Sequence, residues 1–127
     1  MKLSSLFTLN AIIALAFGIG FVLLPATALT IYGIDPNSSI NLMGQFFGVE
    51  LIAVGLLCWF VKGDSDTAVI PKIILALLIA DIAGLIVSLT GTLSGVFNAL
   101  GWSAVLIYLV LVAGYAYFWL RRDVQPA

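Results

Sequence analysis

Two carboxylates stand out against an apolar background. Glu50 lies near the middle of the membrane-length run Ile40 to Val61, and Asp81 near the middle of the run from about Ala68 to Thr90. The short loop between these runs has its centre between Ser65 and Asp66, so the two acids are equally far from it in sequence. If the runs form a helical hairpin, both acids sit at one depth, roughly 15 Å from either face at about 1.5 Å per residue. A charge at that depth costs about 2.5–3.5 kcal/mol on insertion scales. Such a residue therefore faces a protein interior, pairs, or keeps its proton. Two readings follow. Glu50 and Asp81 form a proton- or cation-binding site, or they are hydrogen-bonded acids that hold helices together.

Helical spacing refines the choice. Asp81, Gly84, Ser88 and Thr92 recur at i, i+3, i+7 and i+11, which makes a small, polar stripe expected to face the bundle interior. The run with Glu50 has two faces. Gly44, Gly48 and Gly55 share one, and Gly44 to Gly48 fits the small-xxx-small motif of close helix contact. Glu50 lies roughly opposite, among Met43, Phe46, Phe47, Val54 and Leu57. Both faces call for protein neighbours, and the second hints at a partner subunit. Asn41, Gln45 and Asn98 are expected to make interhelical hydrogen bonds, and Tyr108 and Tyr115 to pack along one side of the last run.

Other chemistries find no residues here. The chain has no histidine, which removes the commonest metal ligand and general base. No phosphate loop, nucleophile–base pair, metal cluster or haem motif is present, so no catalytic residue and no cofactor is assigned. One cysteine, Cys58, excludes an internal disulfide and reads as an apolar filler.

The elements that must hold the two acids are membrane helices. Of the 127 residues, 63% are hydrophobic and 9% charged, and the mean hydropathy is +1.23. Soluble domains carry roughly 25% charged residues, so lipid is the solvent for most of this chain. A net charge of -1 argues against nucleic acid as a partner. Four segments are long enough to span: residues 3–27, 40–61, 68–90 and 97–120. The expected fold is an all-α integral membrane domain, a four-helix bundle occupying the whole chain.

Local signals mark the ends. Lys2, an apolar run and Ala26-Thr27-Ala28 resemble a signal peptide, but the run from Leu6 to Leu24 is too long for one. Pro25 lies near the outer end of segment one, where a lost N–H is least costly. Gly33 and Asp35-Pro36 are turn residues, and Ser38 or Ser39 is expected to cap segment two. Gly63 is a natural stop, and the residues from Asp64 to Thr67 offer caps for segment three. Pro71 falls in that segment's first turn, and residues 91–95 read as an uncharged turn.

Orientation follows from charge. Lys2, Lys62, Lys72, Arg121 and Arg122 all fall on one side of a four-helix serpentine, and the loops on the other side have no basic residue. The positive-inside rule then places both termini and the middle loop in the cytoplasm. Trp59 and Trp119 fall near that boundary, and Tyr32 and Trp102 near the outer one.

The run from Asn10 to Phe21, then Leu24-Pro25 and Ile31-Tyr32-Gly33, followed by Gly44 to Glu50 and Leu56 to Trp59, resembles the small four-helix bacterial membrane proteins grouped with the DoxX-like families. The resemblance covers mainly the first half. It implies a fold and carries no activity and no catalytic residue. The small multidrug exporters resemble this chain less, because their essential acid lies in the first helix and segment one has none.

Two functions stay open. The first is a non-catalytic inner-membrane subunit or scaffold that oligomerises or docks on a larger membrane complex. The second is a proton- or cation-coupled carrier or channel subunit that uses Glu50 and Asp81.

Overall fold

The computed structural model describes residues 1–64 and 67–121. Ser65, Asp66 and Arg122 lie outside the described residues, and with them part of the expected capping loop and one of the five basic residues. The described chain is helical: α1 (Leu3–Leu23), α2 (Pro25–Ile31), α3 (Ser38–Val61), α4 (Ile70–Leu93) and α5 (Gly101–Arg121). The four long helices are each long and apolar enough to cross a membrane.

The fifth helix, α2, corrects the expectation that segment one continues to residue 27. Pro25 has no N–H to continue the ladder and pushes its predecessor out of the α region. Leu24 accordingly takes φ -133 and ψ 59, and Pro25 opens a separate short helix from its first turn. Other ends shift by smaller steps. Asn37, rather than Ser38 or Ser39, caps α3, with its side-chain oxygen accepting the Ile40 N–H at 3.0 Å. The helix α4 has no side-chain cap and begins at Ile70, with Pro71 in its first turn. It runs on to Leu93, so Gly91 and Thr92 are helical and the turn falls at Gly95, with φ +83. The last helix begins at Gly101 rather than residue 97.

The helices pair in an order the loop lengths do not suggest. α1 packs along α3, and α4 along α5, whereas α3 and α4 do not pack side by side as a hairpin would. A Cβ at Gly55 would meet Leu15, one at Gly48 would meet the Gly18 carbonyl, and one at Gly44 would meet Phe21. As α3 is retraced, its contacts move forward along α1, so the pair is antiparallel. Gly84 against Tyr108 and Thr92 against Gly101 show the same sense for α4 and α5. α1 touches the second pair mainly through α5, where Leu6 lies on Gly114 and the Asn10 Nδ2 donates to the Tyr115 hydroxyl at 2.7 Å.

Connectivity with these antiparallel contacts gathers Lys2, Lys62, Lys72 and Arg121 at one end of the bundle, the basic end. The half of the bundle beside it is closed. Leu6, Phe7, Ala11, Cys58, Ile70, Ile74, Leu77, Leu78, Leu111 and Tyr115 form one buried cluster there, drawn from all four long helices. Between membrane helices such a cluster holds through close packing and buried hydrogen bonds, since lipid is as apolar as the side chains. At the far end the two interhelical loops are tied together. The Asn98 backbone N–H donates to the Tyr32 carbonyl at 3.0 Å, and the Asn98 Nδ2 to the Ile31 carbonyl at 2.9 Å. The Phe97 ring stands edge-on to Tyr32, 5.7 Å between centroids.

Candidate functional site

Between the closed half and the tied loops, the two helix pairs part. The space they leave is a cavity of about 510 Å3, within the size range of small-molecule sites. All four long helices line it, and Leu29, Tyr32, Ile34 and Phe97 cap it at the far end. Its walls on α1 and α5 are formed by buried and half-buried residues such as Ala14, Phe21, Ile107 and Leu111. Its exposed lining residues lie on the other two helices: Met43 (65% exposed) and Phe47 on α3, Ala80 and Val87 (66%) on α4. The mouth is therefore the gap between α3 and α4, where those helices fail to pack. It faces sideways, toward what would be the bilayer.

Asp81 sits on the wall, at the midpoint of α4. It is 8% exposed, and its buried Oδ2 has no hydrogen-bond partner among the described residues. Around it the polar groups are committed to each other. Asn10, also on the wall, spends its amide on Tyr115, whose hydroxyl in turn lies 3.9 Å from the Cys58 Sγ. Ser88 lines the cavity and donates back to the Leu85 carbonyl at 3.1 Å, and Thr92 donates to the Ser88 carbonyl at 2.7 Å. Back-bonding of this kind satisfies a hydroxyl inside an apolar helix without any interhelical partner. Gly84 leaves room for the Tyr108 ring, which closes against it from α5 and also lines the cavity.

Glu50 is placed differently. It is at the midpoint of α3, level with Asp81, but its side chain is exposed and does not line the cavity. No described residue shares a hydrogen bond or ion pair with it. Its helical neighbours Phe47 and Val54, one turn away on either side, do line the cavity. Glu50 thus stands on the rim of the mouth, beside exposed Met43 and Leu57. The glycine face of α3 points elsewhere: Gly44, Gly48 and Gly55 are buried against α1 and α2 of the same chain. Gln45 joins that seam by donating to the Val22 carbonyl at 3.1 Å, whereas the Asn41 Oδ1 is buried without a partner among the described residues.

One feature of the cavity has no local sequence signal. Six aromatic rings line it: Phe17 and Phe21 from α1, Tyr32 after α2, Phe47 from α3, Phe97 before α5 and Tyr108 within it. Phe21 and Phe47 meet edge-on at 5.1 Å between centroids, and Phe17 lies 6.5 Å from Tyr32. Only the Phe17–Phe21 pair, one turn apart on α1, could have been read as a shared face. Among the described residues no three His, Cys, Asp or Glu side chains cluster to hold a metal ion. No family model matches this chain, and no curated protein and no solved structure matches it either.

Proposed function

We propose that this chain is a multi-pass inner-membrane protein, with both termini cytoplasmic, that binds a small amphipathic molecule between its two helix pairs as the binding step of a carrier. The observation that carries this reading is the laterally open cavity with the unpartnered Asp81 carboxyl on its wall. A mid-membrane acid is costly and is usually kept where a substrate or ion path needs it. The cavity is shut toward the basic end by the buried cluster and capped at the far end by the tied loops, which leaves the lateral gap between α3 and α4 as the route for an amphipathic molecule. Resemblance to the DoxX-like families belongs to the same proposal and bears on fold alone. The reading is non-catalytic. It is tested by native mass spectrometry of the protein released from its own membranes. Wild type should carry a bound small molecule, and Ala104→Phe, which fills the cavity from α5, should lose it. A spectrum that Ala104→Phe leaves unchanged overturns the reading.

A second reading, a subunit docked in a larger membrane complex, has its own observation. Glu50 is exposed at mid-helix with Phe46, Val49 and Leu57 around it. A carboxyl in that position calls for cover. The described basic residues Lys2, Lys62, Lys72 and Arg121 belong to helix ends, so among the described residues a second copy offers Glu50 no cation at that depth. The occupant this favours is a different membrane subunit whose helix brings a hydrogen-bond donor or cation to the midplane. Co-purification with such a subunit from native membranes, lost in Glu50→Gln, supports it; self-association alone opposes it.

A further inference from the structure

We propose that the molecule taken by this cavity is an organic cation bearing apolar groups, such as a quaternary ammonium or phosphonium ion. The proposal rests on the ligand-binding reading above and specifies its chemistry. Four observations converge on it. First, the wall carries one carboxyl, Asp81, nine-tenths buried and with an Oδ2 that no described residue satisfies. Second, no basic side chain among the described residues reaches it. Lys2, Lys62, Lys72 and Arg121 lie at the basic end, beyond the buried cluster that closes that half. Any positive charge opposite Asp81 must come from outside the described residues. Third, six aromatic rings stand within an otherwise mainly aliphatic lining. Phe17, Phe21, Tyr32, Phe47, Phe97 and Tyr108 surround the space, and ring faces attract cations most when water is excluded. Fourth, the mouth between α3 and α4 faces laterally, so an amphipathic ion dissolved in the bilayer reaches the site without crossing the closed half. Glu50 on the rim adds a second acid on that approach, at the same depth as Asp81. An anionic amphiphile such as a fatty acid meets two carboxyls and no cation. A neutral ligand would leave an ionised Asp81 carboxyl without charge compensation.

The test is equilibrium dialysis of tetraphenylphosphonium against the protein in lipid nanodiscs. Two competitors of nearly identical shape are added in turn, phenyltrimethylammonium and its uncharged counterpart tert-butylbenzene. Wild type should bind tetraphenylphosphonium saturably, and the ammonium should displace it at least about tenfold better than the hydrocarbon. Asp81→Asn should weaken binding by about thirtyfold or more, as expected when one partner of a buried charge pair is removed. Asp64→Asn, at an exposed position at the basic end beyond the buried cluster, should not change it. Ala80→Trp, at an exposed position on the mouth, should block binding while leaving the packed half untouched. Equal displacement by both competitors, or full binding by a folded Asp81→Asn, overturns the cation assignment. If the hydrocarbon then still binds and Ala80→Trp abolishes that binding, the cavity is a site for neutral molecules and the broader reading stands. If Ala80→Trp affects neither compound, both fail. The competition in wild type decides the question even if Asp81→Asn does not fold.

Discussion

Gly18 and Gly48 meet backbone to backbone across the seam between α1 and α3. A Cβ built on Gly48 would lie 2.7 Å from the Gly18 carbonyl oxygen, and one on Gly18 would lie 2.8 Å from the Gly48 oxygen. Neither side can yield, because both obstacles are backbone. The seam lies within one chain, so the consequence is for the stability of the fold and not for association. Gly48→Ala should destabilise the protein by about 1–3 kcal/mol through overpacking, and Gly48→Leu by more. Thermal unfolding in mild detergent measures this. A lowered unfolding temperature with an unchanged particle size is expected. An unchanged unfolding temperature would show that the two helices are not this close.

In the closed half the Tyr115 hydroxyl links the two helix pairs, accepting the Asn10 amide at 2.7 Å and lying 3.9 Å from the Cys58 Sγ. Tyr115 is fully buried, with its ring 5.9 Å from that of Phe7. Tyr115→Phe keeps the ring and strands the Asn10 amide. The expected cost is about 1–2 kcal/mol, toward the upper end for hydrogen bonds between membrane helices. Adding Asn10→Leu removes the stranded donor. The double variant should therefore lose less stability than the two single losses added together. Strict additivity in that cycle would mean the bond contributes nothing.

What could be read from the chain, and what could not, divides along one physical line. Span lengths depend on counting apolar residues, and four spans stand within a few residues of their expected places. Pro25 reads from sequence as a tolerated residue near the outer end of one helix; that it starts a second helix depends on Leu24 adopting ψ 59. Glycine spacing marked the close-contact face of α3, because only small residues let backbones touch. It did not say that the partner was α1. In lipid every face of a helix is apolar, so rotation and neighbour choice leave little trace in hydropathy. That is why Glu50 and Asp81, alike in sequence, part in the fold, one on the rim and one on the wall. It is also why the six rings escaped notice. They come from distant segments and share no spacing.

Chain orientation is decided by labelling. Asp35 and Asp64 are exposed and lie at opposite ends of α3. In a Cys58→Ala background, a membrane-impermeant thiol reagent added to intact cells should label Asp35→Cys and spare Asp64→Cys. After permeabilisation both should react. The reverse order in intact cells would place the basic end outside and contradict the positive-inside reading.

The tie between the far loops should control access to the cap of the cavity. Asn98 donates to the Ile31 carbonyl and accepts the Leu100 N–H at 3.0 Å through its side chain. Asn98→Ala removes both bonds and leaves the backbone bond to Tyr32 in place. Each lost bond is worth about 0.5–1.5 kcal/mol. Hydrogen exchange at residues 32–34 and 98–101 should accelerate accordingly, with α1 and α3 unchanged at their centres. Exchange that does not change would show that the Phe97–Tyr32 contact alone holds the loops.

Asp81 supplies the sharpest prediction, because its placement opposes stability. A buried oxygen without a hydrogen-bond partner costs about 1–3 kcal/mol, and the carboxyl lies at the middle of a membrane helix, where apolar side chains cost nothing to insert. Replacement by leucine removes that penalty, and the adjacent cavity offers room for the larger side chain. Asp81→Leu should therefore raise the unfolding temperature of the ligand-free protein, by an amount that corresponds to about 1–3 kcal/mol. It should also abolish tetraphenylphosphonium binding. A group kept for function at the expense of the fold gives this pairing of gains and losses. A group kept to glue helices gives the opposite result, since its removal takes a contact away. If Asp81→Leu lowers the unfolding temperature, the carboxyl is structural, and its partner must be sought on a neighbouring chain or in an ordered water.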